Sequence, residues 1–273
     1  FCTYFFIMKM KQIFLLPLLV LGSVYFAKAQ NEAALVYHVA TQKVVTPEDI
    51  VQNLDNTQVL VFGENHGDSI AHAYEQEIAA LLVQRYGSSL TFSMEMFETD
   101  VQSVMDEYLK GWITEKHFLK DARVWKNYSD YKPIVELAKA NQLKVVAANS
   151  PGRYTNMVTR NSLTSLSQLP AKIRKQFLPP LPIDTLTGAY YDRFLEAMGG
   201  HVVPNMFLYQ SQNLWDAAMA YSIYQATKSK KNQLVYHLNG KFHSDYYLGT
   251  VFRLLQQYEL RVVTISFNEV SDI

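Results

Sequence analysis

Two acidic side chains and two histidines stand where apolar segments of strand length end. Glu64 and His66 follow the run 58–63, Glu95 lies in the run that ends in SMEMFE, and His243 closes the stretch HLNGKFH. Carboxylate and imidazole groups carry out general acid–base catalysis, and together they also bind divalent metal ions. The residue types therefore indicate an acid–base centre or a metal site.

A metal-assisted hydrolase, esterase-like or peptidase-like, is one hypothesis for these residues. Glu64 or Glu95 would act as general base on a water molecule, and His66 and His243 would serve as acid–base groups or as metal ligands. A divalent ion on the two histidines and a carboxylate would have three protein ligands and an open position. For these catalytic candidates, Glu64, His66, Glu95 and His243, structural alternatives remain open: Glu64 could favour a helix N-terminus, and either histidine could cap a helix. Glu95 is harder to explain in this way, because a charge inside an apolar strand is costly unless it is paired.

Other polar residues have a simpler interpretation. Asn149, which precedes Ser-Pro, is as consistent with a turn as with a site, and Asn239 follows the fourth apolar run. His237, in the middle of that run, is interpreted as a core histidine. Three further histidines show no partner in the sequence and are interpreted as structural or exposed: His38, His72 and His117.

Alternating strand and helix patterns supply a scaffold for these side chains. The apolar runs are nearly continuous, which is typical of strands buried on both faces of a parallel sheet. We therefore expect an α/β fold with a mostly parallel central sheet flanked by helices, and ligands should bind beyond the carboxyl ends of the strands. The predicted strands cover 58–63, 90–97, 143–148, 233–238 and 260–267.

Two regions depart from this alternation. Residues 151–204 contain no convincing buried strand and are interrupted by prolines, so we expect a helical insertion or lid after the third core strand. Residues 34–54 are expected to add a short pair of edge strands and a helix that begins at Thr46-Pro47, because threonine is a favourable N-cap and proline suits the first helical position.

Composition and motifs exclude several function classes. The chain of 273 residues balances 25 basic against 25 acidic side chains, whereas a nucleic-acid binder needs a basic face. The sequence contains no H-E-x-x-H, G-x-S-x-G, Walker or G-x-G-x-x-G motif. C-x-x-C-H is also absent, so haem cannot be attached covalently through that motif.

The N-terminal region has the pattern of an export signal. Basic residues around Met8 precede the apolar run 13–26 and an A-x-A site, which predicts a signal peptide over residues 8–29 with cleavage near Ala29. Residues 1–7 are interpreted as upstream translation, and 30–273 as a single domain without a transmembrane segment. The one cysteine, Cys2, would be lost, so we expect an exported protein, periplasmic or peripheral to the cell envelope, without disulfides or a lipidation site.

Five motifs in order resemble one protein family. VFGENH, SMEMFE, YKPIVELAKANQLKVVAANSP, QNLWDAAMA and LNGKFH are similar to the motifs of the ChaN-like haem-binding family, from about Leu35 to Phe267. That family belongs to a superfamily with the TIKI-type metalloproteases and the erythromycin esterases, which share the G-E-x-H turn. Family members are often lipoproteins, whereas this chain has no cysteine that could accept a lipid.

The resemblance implies a non-enzymatic protein of haem or iron uptake that binds haem non-covalently. It further implies ligation of haem iron by tyrosine with a histidine nearby, a homodimer around stacked haems, and a haem-uptake receptor or transporter as partner. In TGAYYDRFLEAMGGHVVPNMFLYQ the candidates are Tyr191 as the iron ligand, His201 beside it, and Tyr190. The porphyrin faces would be covered by apolar side chains of the same stretch: Phe194, Met198, Met206 and Phe207.

Overall fold

The strands form one sheet in which most neighbours run parallel. The computed structural model describes residues 3–9, 34–201, 204, 206–229 and 233–269. The strand order is β3-β2-β1-β8-β4-β7-β5-β6. The strands are β1 (Thr3–Lys9), β2 (Ala34–His38), β3 (Lys43–Val45), β4 (Val59–Glu64), β5 (Leu90–Glu98), β6 (Lys144–Asn149), β7 (Leu234–Gly240) and β8 (Val262–Glu269).

All pairings from β1 to β6 along this order are parallel, whereas β2 pairs antiparallel with both β1 and β3. Every residue of β4 is buried, because successive side chains enter different cores. Leu60 and Phe62 pack in one hydrophobic cluster, whereas Val59 and Val61 pack in another on the opposite face. The predicted mostly parallel sheet is confirmed.

Helices cover both faces of the sheet. One core contains side chains of α2, α3 and α5, and the other contains side chains of α9 and α10. The helices are α1 (Pro47–Gln52), α2 (Ser69–Tyr86), α3 (Gln102–Leu109), α4 (Glu115–Asp121), α5 (Tyr128–Ala140), α6 (Gly152–Asn161), α7 (Ala171–Phe177), α8 (Ala189–Ala197), α9 (Leu208–Thr227) and α10 (Gly249–Gln256).

Local sequence signals explain where some of these elements begin. The Thr46 hydroxyl accepts the N–H of Asp49, and the Asp49 carboxylate accepts the N–H of Thr46, so a reciprocal capping box starts α1 as expected. The Asp68 carboxylate caps α2 by accepting the N–H groups of Ile70 and Ala71. This second cap fixes the short turn between β4 and α2.

The segment between β6 and α9 is helical, as expected for the insertion. Among its described residues it contains α6, α7, α8 and a 3₁₀ turn, Leu163–Gln168, and no strand. A third hydrophobic cluster anchors it, since Tyr154, Val158 and Leu166 pack against Leu214 of α9. We call residues 151–204 the helical segment.

The sheet contains one strand that sequence analysis does not predict. Thr3–Lys9 pairs parallel with β8 and antiparallel with β2, and it overlaps the predicted signal peptide at Met8 and Lys9. The predicted cleavage site near Ala29 and most of the signal peptide lie outside the described residues, so export stays a prediction. No helix in the described part of the chain has the length and apolarity needed to cross a membrane.

A glutamine side chain covers the outermost strand of the parallel part. The Gln102 amide nitrogen donates to the carbonyl of Val145, and its oxygen accepts the N–H of Ala147, at 2.9 and 2.8 Å. Both backbone groups belong to β6, whose other side pairs with β5. The amide of Gln102 therefore satisfies two backbone groups of β6 that could otherwise form hydrogen bonds with another strand.

Candidate functional site

The carboxyl ends of β4, β5 and β7 bring the four strand-end candidates together. Glu64 is the last residue of β4, and Glu95 follows Met94, where the pairing of β5 with β7 stops. One oxygen of Glu95 accepts the N–H of Gly240 at 2.7 Å. The ring of His66 lies against the same glycine, since a Cβ built on Gly240 would be 2.6 Å from His66 Nε2.

Glu64 lies at the centre of one half of this arrangement. Its Oε1 accepts the hydroxyl of Tyr131 at 2.7 Å and lies 2.6 Å from His66 Nδ1, while its Oε2 lies 3.1 Å from His72 Nδ1. Burial acts to raise the pKa of Glu64, but these hydrogen bonds outweigh it and lower the pKa to about 2. Glu64 is therefore a buried carboxylate that stays ionised.

His72 is buried and paired, although the sequence shows no partner for it. Its Nδ1 lies 3.0 Å from Glu75 Oε2, and its Nε2 lies 3.3 Å from the backbone oxygen of His66. Burial acts to lower the pKa of His72, but the bonds to Glu64 and Glu75 raise it to about 10. The pair of His72 and Glu75 was not predicted, although residues 72, 75, 79 and 82 share one helical face that also carries apolar core residues.

Glu75 has the opposite protonation preference to Glu64. It is fully buried, and burial together with the charge of Glu64 raises its pKa well above the ordinary value. The two carboxyl groups therefore differ in protonation state, because Glu64 is ionised and Glu75 favours the protonated form.

His243 is at the centre of the other half. Its Nδ1 lies 2.7 Å from Asp216 Oδ1, and its Nε2 lies 3.5 Å from Glu95 Oε1. Burial acts to lower the pKa of His243, but the charges of Glu95 and Asp216 raise it to about 10. Burial likewise acts to raise the pKa of Glu95, but His243 and His66 lower it below its usual range. His243 therefore pairs two carboxylates and does not serve as a helix cap.

Asp216 is a site residue that sequence analysis missed. It lies in α9, is completely buried, and accepts the hydroxyl of Tyr190 at 2.6 Å and that of Thr250 at 3.1 Å. A charged residue in the apolar stretch WDAAMA was the available signal, because such a charge needs a partner. The two halves approach each other at Gly240, which bonds to Glu95 and contacts the ring of His66. We call these residues together the strand-end network: Glu64, His66, His72, Glu75, Glu95, Tyr131, Tyr190, Asp216 and His243.

The remaining polar candidates serve the backbone or the core. Asn149 accepts the N–H of Ser150, and Asn239 donates to the carbonyl of Gly240. His237 is completely buried with Nδ1 2.9 Å from Ser93 Oγ, and burial lowers its pKa to about 3. His237 is therefore a neutral core histidine, as interpreted from the sequence.

The donors that could hold a metal ion differ from the predicted set. Among the described residues, one group of three donors lies within 4.8 Å of one another, and it consists of Glu64, His72 and Glu75. His66 and His243 do not belong to it. Each of these two histidines instead has Nδ1 directed at a carboxylate, of Glu64 and of Asp216 respectively.

The haem-ligand candidates of the helical segment separate into two environments. Tyr191 and His201 line a half-open cavity of about 190 Å³. Tyr190 is instead buried, and its hydroxyl donates a hydrogen bond to Asp216. Burial and the charge of Asp216 raise the pKa of Tyr190 well above its ordinary value. We call this cavity the helical-segment cavity, and its lining is Thr185, Tyr191, Phe194, Leu195, Met198, His201, Met206, Phe207, Leu208, Tyr209 and Gln210.

Comparison with known proteins identifies relatives of this fold. Residues 50–254 match the family model described as haem-binding uptake, Tiki superfamily, ChaN. No curated protein shows a significant sequence match. The structure resembles that reported as "Cofacial heme binding to ChaN of Campylobacter jejuni", with a TM-score of 0.64 and 18% identity over 87% of this chain and 92% of that chain.

Two weaker structural matches are to bacterial toxins. One toxin structure has a TM-score of 0.45 at 14% identity over 82% of this chain and 37% of that chain. The effector domain RRSP of a Vibrio vulnificus MARTX toxin has a TM-score of 0.39 at 16% identity over 73% of this chain and 31% of that chain. Similarities this weak carry no functional argument.

Proposed function

The chain belongs to the haem-binding uptake family ChaN of the Tiki superfamily, and we propose that it is an exported protein that binds haem non-covalently during haem or iron uptake. Membership of this family supports a role in haem binding. The predicted signal peptide supports export to the periplasm or the cell envelope. The absence of a C-x-x-C-H motif supports a haem site without thioether bonds.

The observation that carries the proposed site is the helical-segment cavity. Tyr191 is 37% exposed at this cavity, and an accessible tyrosine oxygen is an established type of axial ligand for haem iron. Apolar side chains complete the lining, which suits the face of a porphyrin. We favour Tyr191 over Tyr190 for this role, because Tyr190 is buried and its hydroxyl donates a hydrogen bond to Asp216.

The size of the cavity favours a haem that stays partly uncovered. About 190 Å³ is below the 300 to 1,000 Å³ that is typical of pockets enclosing drug-sized ligands. Haem would therefore lie with one face on the helical segment and the other face open. An open face would suit a second haem-loaded copy in a homodimer, or transfer of haem to an uptake receptor or transporter.

A haemin titration followed by absorbance tests the proposed site. We expect a saturable Soret band for the protein as purified, and a loss of affinity of at least tenfold in Tyr191→Phe, with a smaller loss in His201→Ala. Tyr246→Phe is the matched control, since Tyr246 is an exposed tyrosine outside the cavity. A flat titration, or equal affinities in the Tyr191→Phe and Tyr246→Phe variants, would reject this site.

A hydrolase is the second candidate, and the geometry of His66 favours it. Its side chain is 46% exposed, while Glu64, 2.6 Å away, is fully buried and ionised. A solvent-facing imidazole held by a carboxylate can accept or donate a proton at a bound ester or peptide, or serve as a metal ligand. Glu64 and His66 do not line the helical-segment cavity, so haem bound there would not use them.

Assays with ester and peptide substrates test the second candidate. If it is correct, His66→Gln and His243→Gln should each remove most of the activity, and His117→Gln should not, because His117 is an exposed histidine outside the network. Absence of turnover across the panel, with and without added divalent metal, would count against a hydrolase.

A further inference from the structure

We propose that Glu64, His72 and Glu75 form a binding site for one divalent first-row transition-metal ion. This site is separate from the helical-segment cavity and differs from the set of His66 and His243. It combines the carboxyl end of β4 with the first two turns of α2.

The spacing of the donor atoms suits a metal ion. His72 Nδ1 lies 3.1 Å from Glu64 Oε2 and 3.0 Å from Glu75 Oε2. In a tetrahedral site with bonds of 2.0 to 2.1 Å, neighbouring ligand atoms are about 3.3 Å apart. The three side chains therefore need only small shifts to hold an ion between them.

Two buried oxygens of the site have no hydrogen-bond partner. Glu64 Oε2 and Glu75 Oε1 are both inaccessible and neither makes a hydrogen bond of good geometry, although Glu64 Oε2 lies 3.1 Å from His72 Nδ1; the two residues are 1% and 0% exposed. His72 Nδ1 can carry a single hydrogen, so it cannot satisfy both carboxyl groups that it approaches. Unpartnered buried oxygens are costly, and a cation among them would satisfy both.

Neighbouring groups orient two of the three donors, His72 and Glu64. His72 Nε2 faces the backbone oxygen of His66 at 3.3 Å and Asp130 Oδ2 at 3.7 Å, so the imidazole can keep its proton there while a bound ion displaces the proton from Nδ1. The hydroxyl of Tyr131 occupies Glu64 Oε1 and leaves Oε2 for the ion. Metal-binding histidines commonly have such an outer partner on the second ring nitrogen.

The donor set selects the class of ion. One imidazole and two carboxylates suit Zn²⁺, Mn²⁺ or Fe²⁺, whereas Ca²⁺ and Mg²⁺ favour sites of oxygen atoms alone. The side chain of Asp130 is 37% exposed beside His72, which provides a short path from solvent to the site.

Metal titration of the chelator-stripped full chain tests this site. We expect one Zn²⁺ or Mn²⁺ per chain, measured by competition with a chromogenic chelator and by elemental analysis, and much weaker binding of Mg²⁺. Glu75→Gln should weaken binding at least tenfold, whereas Glu77→Gln, which alters an exposed glutamate of the same helix, should leave it unchanged.

Separate control measurements test the folding and the haem binding of these variants. Thermal melting checks that Glu75→Gln is folded, and Asp130→Ala, at a half-exposed position, provides a second variant that should weaken binding about tenfold through the outer partner of His72. Haemin affinity should be unchanged in both variants. Failure to bind a stoichiometric ion, or equal affinity in folded Glu75→Gln and Glu77→Gln, would overturn the proposal.

Discussion

The strand-end network and the helical-segment cavity differ in almost every physical property. Apart from the half-exposed His66, the network is buried and charged, and within each half its members hold one another through hydrogen bonds and ion pairs. The cavity is half open and mostly apolar, and it comes from the helical segment and the start of α9. The first arrangement fixes protonation states and positions, whereas the second offers a surface on which a flat apolar ligand can lie.

Because the two regions differ in this way, we expect substitutions in the network to lower mainly stability and substitutions in the cavity to lower mainly ligand affinity. Removing a member of the network leaves a buried charge without its partner, so stability should suffer first. Removing a cavity side chain exposes little additional core, so ligand affinity should suffer first.

The largest effect is expected at Asp216. Asp216→Ala leaves His243 buried beside Glu95 without its closer partner, so the free energy of unfolding should fall by about 3–5 kcal/mol in urea denaturation. Asp192→Ala, in the first turn of α8, removes an exposed carboxylate of the helical segment and should cost about 1 kcal/mol or less. If the free energy of unfolding fell equally in the two variants, the expected difference between the network and the helical segment would be wrong.

Alkaline pH should destabilise the network by a smaller amount. The pKa values of His72 and His243 are raised to about 10 from an ordinary value of 6.5. The stability from these two charged histidines is therefore fully present below pH 6.5 and is lost as the pH rises through about 10. Melting temperatures should decline over this range, and the decline should be shallower in His243→Gln. The same slope in both proteins would show that His243 is not charged in the folded state.

The smallest change in stability is expected in the cavity. Phe207 is 40% exposed, so Phe207→Ala should lower the free energy of unfolding by roughly 1 kcal/mol or less, while haemin affinity falls several-fold. Phe118→Ala is the contrasting control, because Phe118 is fully buried and its loss should cost about 3–5 kcal/mol without altering haemin affinity. A large loss of stability in Phe207→Ala would show that Phe207 packs as part of the hydrophobic core and not only as a wall of the cavity.

Most of the fold could be predicted because its signals are local. The five predicted strands of the parallel sheet appear within about two residues of their expected bounds, since strands buried on both faces have continuous apolar sequence. The capping box of α1 needs only Thr46 and Asp49. The strand Thr3–Lys9 was not predicted, because residues 1–7 were interpreted as upstream translation, and the basic start and apolar run that follow from Met8 are typical of an export signal.

The site could be predicted only where it coincides with strand ends. Glu64, His66, Glu95 and His243 follow or interrupt apolar runs, and the topology of a parallel sheet places such positions together. Asp216 lies within a helix, and its partner is 27 residues away along the chain, so nothing local shows the contact.

Neighbouring residues in a helix can also have unrelated partners. Tyr190 and Tyr191 are adjacent in α8, yet one is buried against Asp216 and the other faces the cavity. Successive side chains of a helix point about 100° apart, so only the tertiary arrangement separates these two tyrosines.

The amide of Gln102 has a consequence for how copies of this protein behave at high concentration. An outermost strand with free N–H and C=O groups is a template for another strand, and such templates lead to fibre growth and aggregation. By bonding to Val145 and Ala147, Gln102 occupies two of those groups from within the same molecule. A single side chain thereby discourages the sheet from continuing into a second copy at β6, which leaves association to other surfaces.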